Sequence, residues 1–127
     1  MPETILVVDD DQDMCWVLEA TLAGIGCAVT TVISAHAAIS VVAARAFPVA
    51  IVDARLPDMD GLLLIERLRE FQPAMRIIVI SGYYLDDDTR ISEAVRASKI
   101  NGFFTKPFRI EAIVTAAAGR DDGENSP

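Results

Sequence analysis

The stretch that most constrains this chain is Val49-Ala-Ile-Val-Asp-Ala-Arg-Leu-Pro-Asp-Met-Asp-Gly61. Four apolar residues, Val49 to Val52, are too few for a helix and rich in β-branched side chains. They predict a strand buried on both faces, and a strand of that kind belongs to a parallel sheet covered by helices. The run ends on an acid, Asp53. Pro57, Asp58 and Gly61 then signal a turn, and a helical pattern begins at Leu62. A carboxylate at the carboxyl end of a buried parallel strand lies where α/β sheets hold their ligands. Asp53 is therefore the leading candidate for the chemistry, set against the plainer reading of a turn or capping aspartate.

The chain on either side repeats the same grammar. Thr4 to Val8 reads as a strand that stops at Asp9-Asp10-Asp11, and Asp11 caps a helix with Met14, Val17, Leu18, Thr21 and Leu22 on its apolar face. Gly24 and Gly26 end that helix. Ala28 to Val32 is a second strand, and Ser34 caps a second helix carrying Ala38, Ile39, Val42 and Ala43. After the Val49 strand, Leu64, Ile65, Leu68 and Phe71 give a third helix its buried face, with Pro73 just beyond its end. Ile77 to Ile80 is a fourth strand closing on Ser81-Gly82. A fourth helix carries Ile91, Ala94 and Val95. Gly102 to Thr105 is a short fifth strand, followed at once by Lys106-Pro107, and Ile110, Ile113, Val114 and Ala117 line a last helix. Five strands alternating with five helices predict an α/β fold, a doubly wound five-stranded parallel sheet of order 2-1-3-4-5.

Composition bounds the function. A chain of 127 residues with 52% apolar residues can bury a real core as a single domain. Residues 1–119 are assigned to it, with residues 120–127 as a disordered tail or linker stub. The net charge of −8 argues against binding nucleic acid or anionic membrane by bulk electrostatics. Cys15 and Cys27 lack metal-ligand spacing and read as reduced core thiols. With no basic leader before an apolar stretch, and no apolar run of membrane length, a cytoplasmic protein is expected.

The carboxyl ends of the strands carry the polar residues. The first strand ends on Asp9 and Asp10, the third on Asp53, the fourth on Ser81 and the fifth on Lys106. In the order 2-1-3-4-5 the crevice opens between strands 1 and 3, so Asp9, Asp10 and Asp53 flank it. Three carboxylates so close repel one another unless a cation intervenes. Mg²⁺ suits a site with few carboxylates, several waters and a phosphoryl oxygen. With Lys106 as a point charge and Ser81 as a hydroxyl donor, the pocket is equipped to stabilise a transferring phosphoryl group.

Four pieces together, Leu6-Val-Val-Asp-Asp-Asp11, Asp53 with Leu56-Pro-Asp-Met-Asp-Gly61, Ser81-Gly82 and Phe104-Thr-Lys-Pro-Phe108, resemble the receiver domain of two-component response regulators. The resemblance covers roughly Thr4 to Ala118. It implies that Asp53 accepts a phosphoryl group from a histidine kinase or phosphotransfer protein as an acyl phosphate. It implies that Asp9 and Asp10 bind Mg²⁺ (or Mn²⁺ in its place) with Asp53 and the backbone carbonyl of Arg55. Ser81 and Lys106 match the residues that contact the phosphoryl oxygens, and Phe103 matches the switch aromatic. Lys106-Pro107 matches a peptide bond that is usually cis in the family. Arg55 and Tyr83 match the two positions that tune dephosphorylation. Output is expected through the fourth helix, fifth strand and last helix, onto a downstream protein or a second copy, with no direct nucleic-acid binding by this chain and no membrane contact.

The chain also departs from the pattern. Phe103 lacks the hydroxyl of the Tyr common there. The interval from Ser81 to Lys106 is longer than a compact member needs, with the surplus in Tyr83 to Asp88. Two other functions compete. A haloacid-dehalogenase-like phosphohydrolase also uses a strand-end Asp, Mg²⁺ and a Lys, but needs an acid two residues after the nucleophile, where this chain has Arg55. A receiver-like scaffold that never takes phosphate usually lacks an acid or the lysine, and here all are present. The leading expectation is a switch that catalyses only its own phosphorylation and dephosphorylation. Elsewhere plainer readings hold: His36 is a solvated helix residue, Asp86 to Asp88 a solvated loop with a helix cap, and Trp16 a residue that packs on or partly shields the first helix. One of Leu62 to Leu64 is surplus to a buried helical face.

Overall fold

Neighbouring residues along the central strands go to different cores. Ile5 and Val7 pack on one side of the sheet with Cys15, Leu18, Leu22, Ile113 and Ala117. Leu6 and Val8 pack on the other with Ala38, Val42, Leu64 and Leu68. Both faces of a period-2 strand are therefore buried, as its unbroken apolar sequence requires.

The computed structural model describes residues 4–81, 100–105 and 109–118. In chain order these form β1 (Thr4–Val8), α1 (Gln12–Gly24), β2 (Ala28–Val32), α2 (Ala35–Ala44), β3 (Val49–Asp53), two short strands β4 (Arg55–Leu56) and β5 (Met59–Asp60), α3 (Gly61–Phe71), β6 (Arg76–Ser81), β7 (Gly102–Thr105) and α4 (Ile110–Ala118). The main sheet has the order β2-β1-β3-β6-β7, all parallel. That is the expected 2-1-3-4-5 order, with the hairpin strands numbered in between. The turn after Asp53 proved to be an antiparallel hairpin in which Arg55 pairs with Asp60. The expected fourth helix, Tyr83, Asp86 to Asp88, Lys106, Pro107 and the tail at 120–127 lie outside the described residues.

The helix ends follow local chemistry. Asp11 accepts the Asp13 and Met14 amides, Ser34 the Ala37 amide and Asp60 the Leu63 amide, each satisfying donors that have no partner inside the helix. Gly26, at φ 96°, makes the left-handed exit from α1 without a side-chain penalty. At the far end of the sheet Gln72 serves three backbone groups at once. It accepts the Phe47 amide at 2.8 Å and donates to the carbonyls of Val42 at 2.9 Å and Arg45 at 2.7 Å.

Some expected faces are corrected. The buried seam of α1 runs through Cys15, Leu18 and Leu22, and Val17 is exposed. At 3.6 residues per turn, a seam on those three positions carries Val17 off the sheet. Ala43 is exposed on α2, whose seam is Ala35, Ala38 and Val42. Phe71 is exposed because Phe47 and Met75 already fill the core at that end of α3. Trp16 does not pack: it is 71% exposed. Leu63 is the surplus leucine, half-exposed beside buried Leu64.

Candidate functional site

Parallel strands deliver their carboxyl ends to one edge. There β1 is followed directly by Asp9, β3 ends on Asp53, β6 on Ser81 and β7 on Thr105. Asp9, Asp53 and Ser81 are the buried polar side chains among the described residues, whereas Asp10 is exposed. A carboxylate oxygen from each of Asp9, Asp10 and Asp53 falls within 4.8 Å of the other two. The crevice between β1 and β3 thus holds the acidic group where a doubly wound sheet changes direction.

The two buried members, Asp9 and Asp53, are oriented by backbone. The Asp9 amide donates to the Val32 carbonyl at 3.1 Å, and its Oδ1 accepts the Asp11 amide at 2.9 Å. The Cys15 thiol donates to the Asp9 carbonyl at 3.2 Å. Burial, with the Asp9 carboxylate second, pushes the Cys15 thiol above its ordinary range. Asp53 Oδ1 accepts the Arg55 amide at 3.0 Å. Ala54 donates to Ile80 at 2.8 Å and accepts from Gly61 at 3.1 Å, closing the loop onto the sheet. Three carboxylates of this kind are hard oxygen donors, two of them buried, and a small divalent cation fits the set.

The other expected residues divide. Ser81 is buried and pairs in register with Thr105. Phe103 is half-buried against the core on the α2 and α3 side, while its neighbour Phe104 packs on the α1 and α4 side. Arg55 is exposed at the base of the hairpin. Lys106 and Tyr83 lie outside the described residues.

One feature escaped the sequence reading. His36 is exposed, as expected, but it has a partner: its Nδ1 lies 2.5 Å from Asp58 Oδ2. The Asp58 carboxylate also accepts the Ala35 and His36 amides, and those two bonds, followed by the imidazole contact, hold its pKa at about 2. The partners are 22 positions apart. A turn aspartate and a helix-start histidine give no local signal that they meet.

The family model for the response regulator receiver domain matches residues 5–118. The chain belongs to that family. The DNA-binding transcriptional regulator NtrC of Salmonella typhimurium is 32% identical over 112 residues, covering 87% of this chain and 23% of that protein. This receiver domain thus spans about a quarter of that relative's length. A CheY-like receiver domain protein from Methanospirillum hungatei has the same fold, with a TM-score of 0.85 at 24% identity over 94% of this chain and 93% of that one. A response regulator from Burkholderia pseudomallei, solved with a phosphorylated aspartic acid, calcium ion and citrate, has a TM-score of 0.80 at 25% identity. It covers 98% of this chain and 75% of its own. The receiver domain is a phosphoryl-accepting signalling switch, and the phosphohydrolase reading gives way to it. Among the described residues no helix is long and apolar enough to cross a membrane.

Proposed function

We propose that Asp53 is the phosphoacceptor and that the pocket of Asp9, Asp10 and Asp53 holds Mg²⁺. The observation that carries this is the placement of Asp53 at the end of the central strand, with the Asp9 and Asp10 carboxylates within 4.8 Å. The donor is a phosphohistidine on a histidine kinase or phosphotransfer protein. A carboxylate oxygen of Asp53 attacks phosphorus, the P–N bond breaks, and the imidazole nitrogen leaves with the bonding pair. Hydrolysis reverses the charge: water attacks phosphorus, the acyl P–O bond breaks, and carboxylate and inorganic phosphate are released.

The chain's own residues prepare this step. The Arg55 amide fixes the Asp53 carboxylate. Asp9, Asp10 and Asp53, with the Arg55 carbonyl, would hold the cation. A cation held there would supply positive charge to offset that developing on the phosphoryl oxygens. Ser81 donates its hydroxyl to the phosphoryl group, and Lys106 pairs with it. Movement of Ser81 frees space for Phe103 to turn inward, changing the face built by β7 and α4. A partner protein or a second copy reads that face.

The test is intact mass after treatment with acetyl phosphate and Mg²⁺. The wild type gains one phosphate and Asp53→Asn gains none. A variant that gains phosphate as well as the wild type does would move the acceptor elsewhere.

A further inference from the structure

Asp58 occupies the tip of the β4–β5 hairpin and reaches across to the start of α2. Its Oδ1 accepts the Ala35 amide at 2.9 Å and its Oδ2 the His36 amide at 3.0 Å. The His36 ring closes the contact at 2.5 Å. Ser34 already caps α2 by taking the Ala37 amide at 3.1 Å. The helix start is therefore satisfied twice, once from its own turn and once from the loop that follows Asp53. A carboxylate there also meets the positive end of the helix dipole. The base of the same hairpin is held by different bonds, Arg55 to Asp53 and Gly61 to Ala54. Between base and tip, Arg55 pairs with Asp60 and Leu56 with Met59, which leaves few ways for the hairpin to bend.

We propose that Asp58 and His36 are positioning residues for cation binding at Asp53. By pinning the hairpin tip to α2, they set where the hairpin base presents the Arg55 carbonyl. Neither side chain touches the reacting carboxylate. Their effect passes through the hairpin, as groups behind a metal ligand orient the ligand itself. The proposal rests on the reading of Asp53 and its cation given above.

The variants are Asp58→Ala, Asp58→Asn and His36→Ala, with Asp53→Asn as the control. Amide exchange at Ala35 and His36, measured without Mg²⁺, reports the tether. A Mg²⁺ titration followed by the amide shifts of Asp9 and Asp53 reports affinity. Asp58→Ala should exchange faster at both amides and need about tenfold more Mg²⁺ for half-saturation. Its phosphorylation rate at saturating Mg²⁺ should stay close to that of the wild type. Asp58→Asn keeps an oxygen acceptor and should recover part of the affinity. His36→Ala keeps both amide bonds and should move half-saturation the same way by less, which preserves the test if Asp58→Ala fails to fold. An unchanged half-saturation in Asp58→Ala or, failing that, in His36→Ala overturns the proposal, even with a lowered melting temperature. A wild type that takes no Mg²⁺, or an Asp53→Asn that takes phosphate, would instead overturn the reading of the pocket.

Discussion

Gly61 lies against Ala54 so closely that a Cβ on it would sit 2.3 Å from the Ala54 carbonyl oxygen and 2.7 Å from its Cα. Both obstructing atoms are backbone, and the same carbonyl accepts the Gly61 amide at 3.1 Å. A side chain here cannot be absorbed by a rotamer change. Gly61→Ala should lower stability by roughly 1–3 kcal/mol, as other forced overpacking does, and slow phosphorylation by displacing the residue next to Asp53. Thermal unfolding and phosphorylation kinetics check it; an unchanged melting temperature would mean that the loop has another way to close.

The acidic pocket predicts an inverse effect of metal. Unit charges about 4 Å apart in water repel by about 1 kcal/mol, and Asp10 is exposed beside two buried acids. Asp10→Ala should therefore raise the melting temperature of the metal-free protein by a few degrees while removing the stabilisation that Mg²⁺ confers. A lower metal-free melting temperature would contradict the repulsion.

The Asp58 tether predicts a pH window. Its folded pKa, about 2, lies below the ordinary 3.8. The bonds thus favour the ionised form, and their stabilisation is fully present above the ordinary value and lost as pH falls through the folded one. The melting temperature of Asp58→Ala should lie below that of the wild type near neutral pH, with the gap closing between pH 4 and pH 2. A gap that stays constant over that interval would remove the charge from the account.

The two thiols should react differently. Cys15 is buried, donates to the Asp9 carbonyl and has a raised pKa, so little thiolate forms. Cys27 is only half-buried. A disulfide reagent at mildly alkaline pH should label Cys27 first and Cys15 only as the protein unfolds. Simultaneous labelling of both in the folded protein would argue against the burial of α1 described above.

Phosphoryl lifetime should depend on Arg55, exposed two residues after Asp53. A guanidinium there can pair with phosphoryl oxygens and obstruct in-line water, and Tyr83 is expected to share that task. Arg55→Ala should shorten the half-life of the phosphorylated protein several-fold, more so combined with Tyr83→Ala. Decay at the wild-type rate in the double variant would assign the control to other groups.

Much of this was legible before any coordinates, because it depends on residues close in sequence. Burial on both faces follows from the apolar runs Ile5 to Val8, Val49 to Val52 and Ile77 to Ile80, and helix starts follow from Asp11 and Ser34 reaching amides two or three residues ahead. Asp9, Asp10, Asp53 and Ser81 stand at strand ends, so a parallel topology is enough to gather them. Contacts across layers had no such signature. His36 meets Asp58, Gln72 meets Phe47, and Arg69 meets Asn101 at separations of 22, 25 and 32 positions. Each of these polar residues would read equally well as solvated. Which of them pair, and whether Val17, Phe71 or Trp16 is covered, depends on the angle and depth at which each helix settles on the sheet. That is decided when both faces pack at once, since a side chain finds its partner only after the layer opposite has taken its place.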